Sequence, residues 1–339
     1  MRFGRIPIAE AEGAISVHTL RFGDIALKKG SLVTADAAFR LSAHGIETLV
    51  AARLEPGDVG EDEAAARLAA AVADDGIRLD EAFTGRANLF ALAGGLLAID
   101  AAQVDAINAI DESVTLATLP NWRPVVADEM VATVKIIPFA VPGSALDEAI
   151  GAAVGRPVVR VLPWRVERVA VASTLLPGLK PSTVDKTLRV LVDRLAPAGA
   201  AVTDERRCPH ETDALAAVLR ELVAGPAEFV VVFGASAIAD RRDVIPAAIE
   251  AAGGTVEHFG MPVDPGNLLL VGSLGGKPVI GAPGCARSPK ENGFDWMLHR
   301  LLAGLPVRRA DVTGLGVGGL LMEIVSRPQP RAGGEPDPE

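Results

Sequence analysis

From residue 169 onward, apolar runs of strand length alternate with amphipathic stretches of about a dozen residues. The pattern predicts strands over 169–173, 200–204, 229–233 and 255–259, with helices over 182–195, 212–223 and 244–252 between them. The run Phe229-Val-Val-Val-Phe233 has no polar position, which marks a parallel strand buried on both faces. Strands and helices in this order build βαβ units around a parallel sheet. Apolar segments over 268–271 and 278–280, joined through Gly272-Ser-Leu-Gly-Gly276, read as a hairpin, and 292–303 as a closing helix.

The first half has shorter elements. Thr34 is placed to cap a helix reaching His44, with Asp36 in its first turn and Gly45 as its stop. A strand is expected over 48–54 and an amphipathic helix over 61–72, led by Glu61, Asp62 and Glu63. Asp100 caps a further helix to Ile107, and 130–141 reads as one strand ended by Pro142-Gly143. The pattern predicts an α/β protein: a mixed α/β N-terminal domain over 1–160, then a three-layer αβα domain with a mostly parallel sheet over 165–310. An extension covers 311–339, with disorder expected from about 327 because the tail is rich in Pro, Gly and charge.

Composition narrows the function classes. The chain has 339 residues, a formal charge of −10, 4% aromatic residues and no Tyr. Such a chain offers neither the clustered cations nor the stacking platforms that nucleic acid requires. Two cysteines, Cys208 and Cys285, make no disulfide framework. The N-terminus lacks the apolar core of a signal peptide, and no window holds the roughly 18 apolar residues of a membrane span. A cytoplasmic protein without nucleic-acid or membrane partners is expected.

Three loops should gather at the carboxyl edge of the C-terminal sheet, where open α/β sheets bind ligands. The first carries Gly234, Ala235 and Ser236, whose small side chains let backbone N–H groups approach a phosphate, followed by Asp240, Arg241, Arg242 and Asp243. The second holds Asp264, Gly266 and Asn267, equally readable as a plain turn. The third holds Pro283, Gly284, Cys285, Arg287, Ser288 and Lys290 ahead of a helix, a pattern suited to an anion. Asp243 also suits a helix first turn by charge alone, and Cys285 suits a small buried hydrophobe. In the N-terminal half, Arg86 beside Gly85 and ahead of an expected apolar helix is a phosphate candidate, while alternation points Lys135 outward with Thr133. Gly234-Ala-Ser-Ala-Ile238 lacks the final glycine of a nucleophile elbow, Gly272–Pro278 lacks the hydroxyl of a P-loop, and the five His residues lack zinc spacing.

On these residues the chain resembles the molybdopterin-binding domain of molybdenum-cofactor biosynthesis proteins of the MogA/MoaB/MoeA type. Arg241-Arg-Asp-Val-Ile-Pro246, the Pro283-Gly284 turn and Asp185-Lys186 are similar to that family's signature positions. The segment from Arg21 to Arg53 is similar to the stretch preceding the domain in the MoeA branch. Gly281-Ala-Pro-Gly-Cys-Ala-Arg-Ser-Pro-Lys290 and Gly316-Val-Gly-Gly-Leu-Leu-Met-Glu323 resemble a bacterial subfamily in which the module stands alone or is fused to a cytidylyltransferase. The resemblance implies molybdopterin as ligand, held by its pterin phosphate, and a homo-oligomer. It also implies Mg²⁺ on Asp243, Asp243 and Asp240 as catalytic residues, and ATP or CTP as co-substrate in nucleotidyl transfer or molybdate insertion. The alternative is a carrier that delivers the cofactor to a cytidylyltransferase or molybdoenzyme. Two departures from the family favour the carrier: Gly234-Ala-Ser-Ala replaces Gly-Gly-Thr-Gly, and the Pro209-His210-Glu211 region replaces an acidic residue; Pro283-Gly-Cys-Ala also stands where MoeA has Pro-Gly-Asn-Pro.

Overall fold

The computed structural model describes residues 1–22 and 25–321. The tail expected to be disordered, and the Met322-Glu323 end of the Gly316 motif, lie outside the described residues. The chain divides into two compact units, Met1–Pro163 and a second that begins at Trp164.

The first unit contains two hydrophobic clusters. In one, strand Thr48–Arg53 pairs antiparallel with Arg2–Pro7 and Ile15–Ser16, and Ile6, Leu41 and Leu49 are buried together. Helix Ala35–Ala43 starts where the Thr34 hydroxyl accepts the Ala37 N–H at 3.2 Å. In the other, helix Glu61–Val72 buries Ala65, Leu68 and Val72 against a four-stranded antiparallel sheet.

Two expectations for this unit are corrected. The strand expected over 130–141 ends at Ile136, and a second strand, Ala140–Pro142, pairs elsewhere. Pro138 lies in the gap, where a residue without an N–H cannot continue a ladder. The apolar segment after Gly85 forms strands Arg86–Ala91 and Gly95–Ile99, not a helix. In the first of these Ala87, Leu89 and Ala91 are buried, a period of two that outweighs the helical propensity of alanine.

The second unit follows the alternation read from the sequence. Its elements are β1 (Arg168–Leu175), α1 (Pro181–Leu195), β2 (Ala201–Pro209), α2 (Thr212–Ala224), β3 (Phe229–Phe233), α3 (Val244–Ala251), β4 (Thr255–Phe259), β5 (Leu270–Leu274), β6 (Lys277–Ala282), α4 (Gly293–Leu302) and α5 (Arg309–Thr313). They form a six-stranded sheet in the order β2-β1-β3-β6-β5-β4. β2, β1, β3 and β6 are parallel, while β5 runs antiparallel to β6 and β4.

Each face of this sheet is covered. Val169, Val171, Phe229 and Val231 pack with Leu191 and Leu195 of α1 and Phe294 and Leu298 of α4. Ala170, Ala172, Val230 and Val232 pack on the opposite face with Leu215 and Leu219 of α2 and Ala248 and Ile249 of α3. All five residues of β3 are buried, as a strand covered on both sides requires. This is a three-layer αβα architecture. The carboxyl ends of β1, β2, β3 and β6 share one edge, and β4, running with β6, ends there too. The turn after β4 presses on the start of α4. A Cβ on Gly266, whose φ is +145°, would meet the Gly293 Cα at 2.8 Å.

Phe229→Ala is expected to destabilise the second unit by about 3–5 kcal/mol, from lost transfer free energy and the cavity left behind. Urea denaturation checks this, and a loss under about 1 kcal/mol would contradict the packing described. Burial also pulls the His299 imidazole below its ordinary value of 6.5, so the folded state favours the neutral ring. The unfolded chain takes up that proton first, so stability falls as pH drops through about 6.5. His299→Leu should flatten the slope of stability between about pH 7 and pH 5, measured by urea midpoints; an unchanged slope would exclude this residue as a source.

Candidate functional site

Side-chain alternation at the end of β1 sends two adjacent hydroxyls to opposite faces of the sheet. Thr174 lies on the α2–α3 side. Its Oγ1 accepts the Ala235 N–H at 2.8 Å and lies 2.8 Å from the His210 Nδ1. A hydroxyl that accepts one N–H keeps its own proton to give, so we assign the His210 Nδ1 as its acceptor. One side chain thereby joins the carboxyl ends of β1, β2 and β3.

Ser173 lies on the α1–α4 side. It is only 2% exposed, and its Oγ has no hydrogen-bond partner. Buried hydroxyls are ordinarily satisfied, and leaving one unmade costs about 1–3 kcal/mol. Ser173 lines a narrow cleft with Leu179, Val184, Thr187, Phe233 and Arg287. Thr187 donates to the Thr183 carbonyl at 2.9 Å and is satisfied there. Arg287 reaches in from the 3-10 turn Gly284–Arg287 and donates to the Gly234 carbonyl at 2.5 Å. Among the described residues no carboxylate lies within ion-pair distance of it, and burial lowers its pKa from the ordinary guanidinium value. α1 begins beside the cleft with no side chain capping its N-terminal N–H groups.

The loop that delivers Arg287 is held from behind by Arg194 of α1. The Arg194 guanidinium donates to the carbonyls of Ala286 (2.9 Å), Ser288 (2.7 Å) and Lys290 (3.2 Å), and its Nε donates to Asp295 Oδ1. Both side chains of the ion pair are 9% exposed. Asp295 Oδ2 also accepts the Asn292 N–H at 2.8 Å, closing the capping box that starts α4.

The residues expected from sequence fall into different places. Gly234 and Ala235 join the site: a Cβ on Gly234 would meet the Ser236 carbonyl oxygen, a backbone atom, at 2.8 Å, so this turn after β3 calls for glycine. The Ala235 N–H, expected to hold phosphate, already serves Thr174. Ser236 is exposed and its hydroxyl turns to the Ala237 carbonyl at 3.4 Å. Asp243 Oδ2 accepts the N–H groups of Ala239 and, at 3.0 Å, Asp240, so this carboxylate braces its own loop. Asp240 pairs at 2.7 Å with the exposed Arg242, whose guanidinium holds the Asp240 carboxyl below its ordinary value. Among the described residues no group of three or more His, Cys, Asp and Glu is placed to hold a metal. The two carboxylates read from sequence as the Mg²⁺ and catalytic pair thus make these contacts within their own loop.

Asp264, Gly266 and Asn267 form the turn against α4. Asp264 exchanges backbone hydrogen bonds with Gly319 and Leu321, and Asn267 Nδ2 reaches the Met261 carbonyl at 3.4 Å. Pro283 and Gly284 start the 3-10 turn, and Cys285 Sγ lies 3.7 Å from Asn292 Oδ1. Ser288 Oγ accepts the Lys290 N–H at 3.3 Å, and the Lys290 side chain is exposed. In the first unit Arg86 is exposed, and Lys135, on the less buried side of its strand with Thr133 as alternation predicts, donates to the Thr84 carbonyl and lies 3.7 Å from Glu61. Sequence reasoning missed Ser173, Thr174 and Arg194. The available signals were a pair of hydroxyls ending the apolar run over 169–172, and one arginine near the buried face of α1.

Arg194→Ala is expected to cost about 3–5 kcal/mol, because it leaves Asp295 buried without its counter-charge. In a double-mutant cycle with Asp295→Ala, measured by denaturant unfolding, the two losses should be strongly non-additive. Additive losses would contradict the pairing.

Residues 168–303 match the family model described as a probable molybdopterin binding domain. A solved molybdopterin biosynthesis MoeA protein from Pyrococcus horikosii is 16% identical, with a TM-score of 0.33, over 89% of this chain and 75% of its own. A solved molybdenum cofactor biosynthesis protein B is 16% identical, with a TM-score of 0.29, over 40% of this chain and 87% of its own. No curated protein matches the sequence. The matched residues run from β1 to the end of α4, so it is the second unit of this chain that is similar to that probable molybdopterin binding domain.

Proposed function

We propose that the chain binds molybdopterin at the carboxyl edge of the second unit's sheet and acts as a carrier of the cofactor, without nucleotidyl transfer. The observation that carries this reading is the half-buried Arg287, a cation without a carboxylate partner, standing beside the unsatisfied Ser173 hydroxyl. Both are donors that an anionic pterin phosphate would satisfy. Phosphoryl and nucleotidyl transfer rely on a metal ion that neutralises charge developing between phosphates. Here the carboxylates of the loop after β3, Asp240 and Asp243, pair with Arg242 and accept backbone N–H groups. Delivery to a cytidylyltransferase or molybdoenzyme would complete the carrier's role.

The test is calorimetric titration with purified molybdopterin, with and without Mg²⁺ and ATP or CTP, together with an assay for pyrophosphate. Saturable binding without pyrophosphate release is expected. Release of pyrophosphate would establish the competing nucleotidyltransferase reading, and absence of binding would refute both. Asp243→Asn keeps an acceptor oxygen for the loop and is expected to change molybdopterin affinity by less than about threefold, since the carboxylate's charge faces no ligand.

A further inference from the structure

The phosphate expected on the glycine loop has a better-built place one strand away. We propose that the cleft between the end of β1 and the start of α1 is a phosphate-monoester subsite that works without a divalent cation. This inference rests on the reading of the second unit as a pterin-phosphate binder, and it names the group that the site takes.

Three independent features converge on the cleft. The Ser173 Oγ is buried, lines the cleft and has no partner. An orphan donor in that position is costly unless something enters to accept from it. The Arg287 guanidinium lines the same cleft, and its bond to the Gly234 carbonyl leaves further N–H groups of the fork for an anion. The first turn of α1, a 15-residue helix, has no side-chain cap, and its Val184 and Thr187 are cleft residues. Pro181 brings no N–H and the Thr183 N–H serves the Lys180 carbonyl at 3.0 Å; the remaining first-turn N–H groups and the positive end of the helix dipole favour negative charge there.

The surroundings agree in sign. None of the cleft-lining residues carries a carboxylate. Asp185, the nearest acid on α1, is paired with Arg207 at 2.8 Å, and the exposed Lys180 stands at the N-cap of α1. A metal ion needs oxygen ligands, whereas this cleft offers hydroxyl, guanidinium and amide donors. A phosphate monoester satisfies that donor set directly. The cleft is narrow, and Leu179 and Arg287, the walls that belong to a loop and a 3-10 turn, must part to admit it.

The experiment uses the full chain and two probes, inorganic phosphate and purified molybdopterin, each titrated calorimetrically in EDTA and again with Mg²⁺. Both are expected to bind in EDTA with little change on adding Mg²⁺. Ser173→Ala should weaken both by about tenfold while leaving the thermal midpoint unchanged or raised, because an unsatisfied buried hydroxyl is removed. Arg287→Lys, which keeps the charge and loses the fork, should weaken both by about tenfold. Wild-type affinity in Ser173→Ala and Arg287→Lys, or binding abolished by EDTA, would overturn the subsite. Phosphate binding that depends on Ser173, with no binding of molybdopterin, would uphold the subsite and remove the pterin reading. Molybdopterin binding indifferent to Ser173 would do the reverse.

Discussion

The buried Arg194–Asp295 ion pair is the constraint on which the candidate site depends. A guanidinium in the interior is tolerable only when nearly all its donors are met, and here three loop carbonyls and one carboxylate meet them. Each partner has a second duty. The three carbonyls set the path of the loop between β6 and α4, and Asp295 closes the cap of α4 through Asn292. The ion pair thus positions residues that make no contact with it, Arg287 above all. Its contribution is conformational specificity: a hydrophobic pair of the same volume would fill the space but hold no carbonyl.

The second constraint is the two-sided burial of the parallel sheet. Because helices cover both faces, polar groups of the central strands appear where the strands end, and strand alternation then sorts them by face. Thr174 serves one face and becomes a structural tie between His210 and the Ala235 amide. Ser173, one residue earlier, faces the other way and remains unmatched. Neighbouring hydroxyls on one strand therefore have opposite fates, one completing the fold and the other opening toward a cleft.

Much of this fold was legible in the chain. The second unit's strands and helices follow from period, capping and punctuation, and the fully apolar Phe229–Phe233 strand declared its central place. The failures have physical causes. Alanine-rich segments such as Arg86–Ala91 satisfy helix propensity and strand alternation alike, and only tertiary packing decides between them. Sequence shows residue types and not hydrogen bonds, so the contacts that Asp240 and Asp243 make within their own loop were not legible. Gly234 and Arg287 were readable as candidates because a tight turn and a cation near a helix start have local signatures. Ser173 and Arg194 were not, because a buried hydroxyl without a partner and a guanidinium bridging α1 to the loop ahead of α4 exist only after the chain has folded.

The central claim concerns where the anion sits and what holds it. The most direct measurement is a crystal structure of the full chain with molybdopterin bound, grown without divalent cations. The account predicts the pterin phosphate within hydrogen-bond distance of Ser173 Oγ and the Arg287 guanidinium, at the start of α1. A phosphate seated instead on the Gly234–Ser236 loop, away from Ser173, would contradict it.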